Sequence, residues 1–210
     1  MEEKISAIKA QFVKATETKQ PLQVLGGDSK AFLGRRIAGS PIHMSEYKGI
    51  ICYEPTELYL TVRAGTLLSE VNNALACHRQ MLAFEPAQIN ENTTIGGVIA
   101  TGLSGPRRAF SGAVRDYVLG IRCLNGFGQE LTFGGQVMKN VAGYDLPRLM
   151  TGAYGTLGVI LDVTLKVVPL PEVEKTYVGN MPLDKALTKM LELSAQAIPV
   201  SASCYNGETL

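Results

Sequence analysis

The sixteen residues Asn90–Gly105, NENTTIGGVIATGLSG, hold four glycines, three threonines and one serine beside a single charged side chain. They lie between hydrophobic runs. Read as a loop, the stretch is long for a connection inside a compact domain, and loops of that length are commonly functional. Glycine lets a backbone approach a ligand closely, or adopt positive φ so that successive N–H groups converge on an anion. That mixture of N–H groups and short hydroxyls suits a diphosphate; the plainer alternative is a turn-rich connection.

The rest of the chain alternates strands and helices. Ile5, Ile8, Phe12 and Val13 recur at helical spacing, which predicts an amphipathic helix over residues 3–16, before Pro21. LQVLGG reads as a strand entering a glycine turn, and GIICYEP as a strand closed by Pro55. ELYLTVRAG puts Leu58, Leu60 and Val62 on one face, and Thr66 is expected to cap a helix bearing Leu67, Leu68, Val71 and Leu75. DYVLGIRCL and QELTFGG flank Asn125–Gly126, a strong hairpin signal. GVILDVTLKVVPLP reads as an alternating strand with Ile160, Val163, Leu165 and Val167 prominent, ended by Pro169 and Pro171. Beyond it, EKTYVGNM, a helix capped by Asp184 with Leu187, Met190 and Leu191, and VSASCYNGETL read as strand, helix, strand. No internal repeat or low-complexity segment is visible.

Composition narrows the function. A net charge of +1 gives no global field to attract nucleic acid or an anionic membrane. There is no apolar run of about 18 residues, so no direct membrane insertion is expected. The N-terminal stretch has acids where a signal peptide carries bases, and a cytoplasmic location is expected. Cys52, Cys77, Cys123 and Cys204 are scattered, and His43 and His78 are the only histidines; neither a disulfide framework nor a metal site is expected.

Further glycines cluster at Gly26–Gly27, Gly134–Gly135 and Gly143–Gly158. LGGDSK, after a strand, is a candidate anion loop with Ser29 and Lys30 as extra donors, or a simple turn. Neither a G-x-x-x-x-G-K-[ST] loop nor a G-x-G-x-x-G fingerprint after the first strand is present.

Four segments in order carry a family resemblance across roughly residues 20–171. TIGGVIATGLSGPRRAFSGAVRDYVLG resembles the second flavin-binding segment of the vanillyl-alcohol-oxidase-type FAD enzymes, the PCMH fold. KNVAGYDLPRLMTGAYGTLGVI resembles their third segment, VLGGDSK stands where their first pyrophosphate loop belongs, and YEPTELYLTVRAGTLLSEV matches the strand and helix between. FEPAQINENTTIGGVIATGLSGPRR and GGQVMKNVAGYDLPRLM are most similar to FAD-binding subunits of bacterial glycolate oxidases.

The resemblance implies an α+β chain: two α/β subdomains, residues 1–85 and 86–171, with FAD between them, then a cap segment from residue 172 cut short at Leu210. It implies that Gly26, Gly27, Asp28, Ser29 and Lys30 wrap the diphosphate. Thr94, Ile95, Gly96 and Gly97 would give N–H groups and a hydroxyl to it, while Thr101, Gly102, Ser104 and Gly105 pass the ribityl chain or flavin edge. Gly143 and Tyr144 would sit near the cofactor, and the Ile160 backbone would touch the ring or adenine end. Asp116 would serve either the cofactor or a buried ion pair with Arg115 or Arg122. The implied activity is oxidation of a 2-hydroxy acid (glycolate or D-lactate). Hydride would pass to flavin N5, and electrons onward to a paralogous FAD subunit and an iron–sulfur subunit, through which the chain could be peripheral to the inner membrane.

Two departures qualify this. The family's G-S-E-G reads GAYG, with Tyr154 in place of the acid, and no histidine falls on a linkage motif, which implies noncovalent FAD. Arg107 and Arg108 could hold a carboxylate or form a solvated pair. No catalytic residue is assigned. A non-catalytic FAD-bearing or assembly subunit, and an enzyme like UDP-N-acetylenolpyruvoylglucosamine reductase, remain as alternatives.

Overall fold

The computed structural model describes residues 2–35, 38–135 and 144–210. Its centre is a five-stranded sheet of order β3–β4–β8–β6–β7, with every neighbouring pair antiparallel: β3 (Ile50–Glu54), β4 (Tyr59–Arg63), β6 (Val118–Leu124), β7 (Glu130–Gly134) and β8 (Val159–Lys166). Strand β8 lies in the middle and is buried from Val159 to Leu165. Leu161, Val163, Leu165 and the following Val167 share one parity and enter the apolar core with Leu60 and Val62 of β4. All four apolar positions expected to be prominent, Ile160, Val163, Leu165 and Val167, are buried in the core, and Ile160 reaches it by pairing with Cys123 beyond a register shift in the β6–β8 ladder. Leu58 precedes β4 in a left-handed conformation, φ +58°, and is not part of its alternation.

The other parity of the sheet is polar. Thr61 and Thr164 pair through their hydroxyls at 3.0 Å. Asp162 accepts from Arg122 Nε at 2.5 Å and from the Tyr47 hydroxyl at 3.0 Å, and a second Arg122 nitrogen reaches Tyr47 at 2.6 Å. Arg122 also holds Glu130, which Lys9 of α1 (Glu2–Thr18) meets at 2.7 Å. Burial opposes the Arg122 charge, but the bonds from Asp162 and Glu130 outweigh it and raise the pKa; burial also raises that of Tyr47, which stays a neutral phenol. Arg122 therefore pairs with Asp162. Asp116, one of the residues expected to pair with it, is exposed and accepts instead from the Ala113 N–H.

Helix α1 buries Ile5, Ile8 and Phe12, with Phe12 against Gly128 of the hairpin, whereas Val13, expected with them, is 50% exposed. The hairpin forms, but its left-handed residue is Gly128, φ +73°, while Asn125 Oδ1 caps the loop by accepting from Phe127 and Gln129. Helix α2 (Leu68–Ala76) buries Leu68, Val71 and Leu75, and its N-cap is Leu67. Thr66 does not cap it: its hydroxyl is taken by the Arg63 carbonyl and the Gly49 N–H.

A separate parallel pair, β1 (Leu22–Leu25) and β2 (Ser40–His43), lies beside this sheet, and β5 (Gln80–Met81) pairs with β9 (Val168–Pro169). Past Pro171 only the helix of the expected strand–helix–strand forms: α6 (Leu183–Ala195), with Pro182 as N-cap and Asp184 in its first turn. The flanking segments meet through one bridge, Asn180–Thr209, and Tyr177 and Val178 stay exposed. No strand of the sheet is available to them, and two short segments alone are marginal. No helix among the described residues is long and apolar enough to cross a membrane.

Removing Asp162 leaves a part-buried guanidinium and a phenol without their shared acceptor. Asp162→Ala is expected to cost on the order of 3 kcal/mol in urea unfolding. Tyr47→Phe, which removes one hydroxyl and leaves the ion pair, should cost about 1 kcal/mol.

Candidate functional site

Strand β1 delivers the first glycine loop onto the start of a short helix. Asn90–Gly105 is not a continuous loop: α3 occupies Ile95–Thr101, with Thr94 as N-cap, its Oγ1 accepting from the Gly97 N–H at 3.2 Å. Short side chains are what allow this. A Cβ on Gly96 would stand 2.7 Å from Ala64 Cβ and 2.8 Å from Ala64 O, so only glycine lets α3 dock on the end of β4. A Cβ on Gly27 would lie 1.5 Å from Asn92 O, and one on Gly26 2.7 Å from Thr94 Oγ1. The first loop and the α3 N-terminus are thus pressed together, as the order of the segments implied.

The expected division of labour changes. Ile95 N–H donates to Thr66 O, Gly96 N–H to Ala64 O and Val98 N–H to Thr94 O, at 2.9, 2.7 and 3.0 Å. The first turn of α3 is spent on the chain's own acceptors, and the expected donation from Ile95, Gly96 and Gly97 to a diphosphate is corrected. The Thr94 hydroxyl proton stays free to donate, since its oxygen accepts from Gly97. In the first loop, the N–H groups of Gly26, Gly27, Asp28, Ser29 and Lys30 have no acceptor among the described residues. Asp28 is left-handed, φ +54°, the kind of residue from which anion-holding backbone nests are built. Lys30 is 8% exposed, meets only Ser29 Oγ at 3.4 Å, and has no carboxylate partner among the described residues. Burial pushes its ammonium pKa down, the mark of a cation lacking its anion.

The C-terminal end of α3 carries the third segment. Gly102 takes the left-handed cap, φ +65°. The Gly152 and Tyr154 N–H groups then donate to Ile99 O and Ala100 O at 3.0 and 2.9 Å, satisfying carbonyls a helix end leaves open. The same turn reaches β1 and the loop after it, since Gly155 lies against Val24 and the Tyr154 ring against Gly34. Three glycine segments therefore meet around α3.

The remaining expected residues divide. The Thr101 hydroxyl turns back to Gly97 O at 2.8 Å, and Ser104 Oγ accepts from Val114 N–H at 3.1 Å. Gly105 N–H is shared by Phe84 O and Glu85 O, so this glycine serves the loop's own anchoring. Ile160 belongs to the sheet, paired with Cys123, with its side chain in the core. Tyr144 is 92% exposed, and Gly143 lies outside the described residues. His43 and His78 are both exposed, and His78 stands edge-on to Tyr53.

Sequence reasoning left one contact open. Arg107, beside this loop, grips both oxygens of Glu174 at 2.5 and 2.6 Å, and Ser201 Oγ donates to the same carboxylate at 2.6 Å. The Arg107 N–H is in turn fixed by Glu85 Oε2 at 3.1 Å. Of the two arginines, Arg107 is the carboxylate holder, and its carboxylate comes from the C-terminal segment.

A family model described as FAD binding domain matches residues 3–144. The chain belongs to this FAD-binding family. It is 46% identical over 199 residues to glycolate oxidase subunit GlcE of Escherichia coli (strain K12), covering 95% of this chain and 57% of that protein. It is 32% identical over 170 residues to glycolate oxidase subunit GlcD of Bacillus subtilis (strain 168), covering 80% and 35%. To a D-lactate dehydrogenase of Anaerostipes hadrus it is 33% identical over 134 residues, covering 64% and 28%. The chain thus spans little more than half of the first relative and about a third of the other two. Among solved structures, alkyldihydroxyacetonephosphate synthase superimposes with a TM-score of 0.67 at 21% identity over 88% of this chain and 34% of that one, a likeness of fold.

FAD is the cofactor of the family, and the residues here fit it. An anion loop whose N–H groups have no acceptor among the described residues, a buried lysine with no carboxylate partner among them and a glycine, Gly97, whose absent Cβ would meet Thr94 Oγ1 at 3.3 Å together form a polar cradle. Two neighbouring glycines should then respond differently. Gly96→Ala overpacks against Ala64 and is expected to cost about 1–3 kcal/mol in the FAD-free protein. Gly97→Val should cost that stability less than Gly96→Ala, since only the Thr94 hydroxyl has to give way, yet purify without flavin; a yellow Gly97→Val protein of normal flavin content contradicts the cradle.

The clasp carries its own pH signature. The Ser201 hydroxyl and the Arg107 guanidinium hold Glu174 below its ordinary carboxylate pKa. Its contribution is present above the unfolded value of about 4.3 and is lost as pH falls through the lower folded value. Limited proteolysis of residues 172–210 should therefore accelerate below about pH 4. Glu174→Gln should show the faster cleavage already at pH 7.

Proposed function

We propose that this chain is the FAD-binding subunit of a 2-hydroxy-acid oxidoreductase acting on glycolate or D-lactate, with electrons leaving to partner subunits. The likeness to glycolate oxidase subunits and D-lactate dehydrogenases supports the substrate class, and the partnerless Lys30 at the first glycine loop is the observation that carries the binding mode. In this reading the N–H groups of Gly26, Gly27, Asp28, Ser29 and Lys30 and the Lys30 ammonium hold the diphosphate from one side. The Thr94 hydroxyl donates from the other, and Gly97 gives the cofactor room. Bound there, noncovalently, FAD supplies the two-electron acceptor for the carbon–hydrogen bond beside the substrate hydroxyl. The chain's part is to hold, orient and shield it.

The division into residues 1–85, 86–171 and a cap segment from 172 belongs to the same proposal. The first two units share the central sheet, to which residues 50–63 give two strands and residues 118–166 three. They would fold together rather than apart. A paralogous FAD subunit and an iron–sulfur subunit are the proposed partners, and a cytoplasmic complex peripheral to the inner membrane is the proposed setting. One observation favours a second reading, a FAD-bearing subunit whose partner performs turnover: neither histidine is placed among the glycine segments, and both are exposed.

Flavin content and turnover separate these readings. The chain alone should purify with FAD that acid precipitation releases into the supernatant. Oxidation of glycolate or D-lactate with an artificial acceptor should then be measured with and without the partner subunits. Turnover that persists when only the partner's flavin site is disabled supports the first reading; turnover that survives loss of this chain's flavin supports the second. Lys30→Met should weaken FAD binding at least tenfold, the scale of one charge-assisted contact. It should leave the FAD-free protein as stable or more so, since a desolvated charge is removed. A chain that never takes up flavin refutes both.

A further inference from the structure

Tyr154 stands where the family resemblance places an acid, and its surroundings are those of a ligand contact. Its backbone is left-handed, φ +53°, in a residue with a full side chain. Such a conformation is strained for a residue with a Cβ and persists only where neighbours impose it. Here they do: the Tyr154 N–H is bonded to Ala100 O, the preceding Gly152 N–H to Ile99 O, and the following Gly155 rests against Val24. The effect is to stand the ring between the end of α3 and Gly34 of the first segment, whose Cβ position is 3.6 Å from the ring edge. Yet the residue is 45% exposed. A ring placed beside Gly34 by an enforced backbone bonded to the end of α3, at the junction of the first, second and third glycine segments, thus keeps much of its surface open.

We propose that Tyr154 is the stacking platform for a planar heteroaromatic ring of FAD. The inference rests on the reading that the diphosphate lies at the first loop. Thr94 and Ala100 are about 9 Å apart along α3 at the helical rise, so a cofactor anchored beside Thr94 and extended along the helix brings one ring system to Tyr154. A carboxylate at this position, as in the family pattern, would offer hydrogen bonding but no such surface. An aromatic face gains by stacking on any flat base.

The test uses the FAD-free chain titrated with FAD, FMN and ADP, following flavin fluorescence and, for ADP, heat. Tyr154→Leu should weaken FAD by about tenfold, as loss of one ring-stacking contact does, and should relieve the quenching of bound flavin if the isoalloxazine is the stacked ring. Tyr154→Phe should retain both affinity and quenching, and Tyr154→Glu should behave like leucine. All four residues at this position meet the same backbone strain, so the comparison isolates the ring. A matching loss for FMN assigns the isoalloxazine, and a matching loss for ADP assigns the adenine. A second readout needs no variant: tetranitromethane should nitrate Tyr154 in the free protein, and FAD should protect it while the exposed Tyr177 remains reactive. Wild-type protein that fails to bind FAD removes the underlying reading. Wild-type protein that binds FAD, with Tyr154→Leu of equal affinity or Tyr154 unprotected, or Tyr154→Phe as weak as leucine, overturns the stacking role alone.

Discussion

The contact of Gly96 with Ala64 is the constraint on which the rest of the site depends. It brings the start of α3 within hydrogen-bonding reach of the β4–α2 connection, where Thr66 O and Ala64 O take the Ile95 and Gly96 N–H groups. A helix of seven residues has little intrinsic stability. It survives because both ends are satisfied from outside, the start by Thr94, Ala64 and Thr66 and the finish by Gly152 and Tyr154. Beyond the N-cap Thr94, these partners belong to two other stretches of chain, residues 64–66 and 152–154. The short helix therefore gathers the first loop, the sheet end and the third segment, and it does so only with glycine at position 96.

That constraint also explains what the sequence could and could not show. The glycine segments were legible because bare backbone has few uses, and the first loop does meet the second where residues 26–27 touch 92–94. Why each glycine is bare was not legible. Gly96 and Gly105 are glycines that backbone atoms crowd, whereas at Gly97 only the Thr94 hydroxyl stands close, at 3.3 Å, and both situations produce the same letter. The N–H groups of α3 looked available because a one-dimensional reading cannot count the acceptors that another segment supplies. Helix α1 and strand β4 were legible from most of their apolar spacing, while Val13 and Leu58 fell outside it. Strand β8 is buried on both faces, so its apolar set was legible but the burial of Asp162 and Thr164 beside it was not.

The two polar regions follow opposite electrostatic logic. On the sheet, Arg122 is closed off by Asp162, Glu130 and Tyr47, so its charge is compensated inside the chain and contributes order rather than binding. At the first loop, Lys30 is as buried as Asp162, but among the described residues only a serine hydroxyl stands beside it. An uncompensated buried cation lowers stability until an anion arrives. A binding site can carry that cost because the ligand returns it, whereas a structural pair must balance without help. The partners of the two cations, more than their exposure, separate scaffold from site.

The C-terminal segment is held on different terms again. Of α6 only Ala186 is buried, and Leu187 and Leu191 stay exposed, so apolar burial contributes little to its attachment. What fixes it to the flavin-binding part is the Arg107–Glu174–Ser201 cluster, whose bonds are directional and charge-assisted. Part-exposed pairs of this kind contribute modestly to stability but define geometry closely. Arg107 is itself anchored through Glu85 to the loop that leaves α3, so the clasp sets the C-terminal segment in register with the helix that organises the site. The attachment is thus specified by a few polar groups, whereas the sheet below is stabilised by many apolar ones. Changes in pH or in a single side chain act on the first far more than on the second.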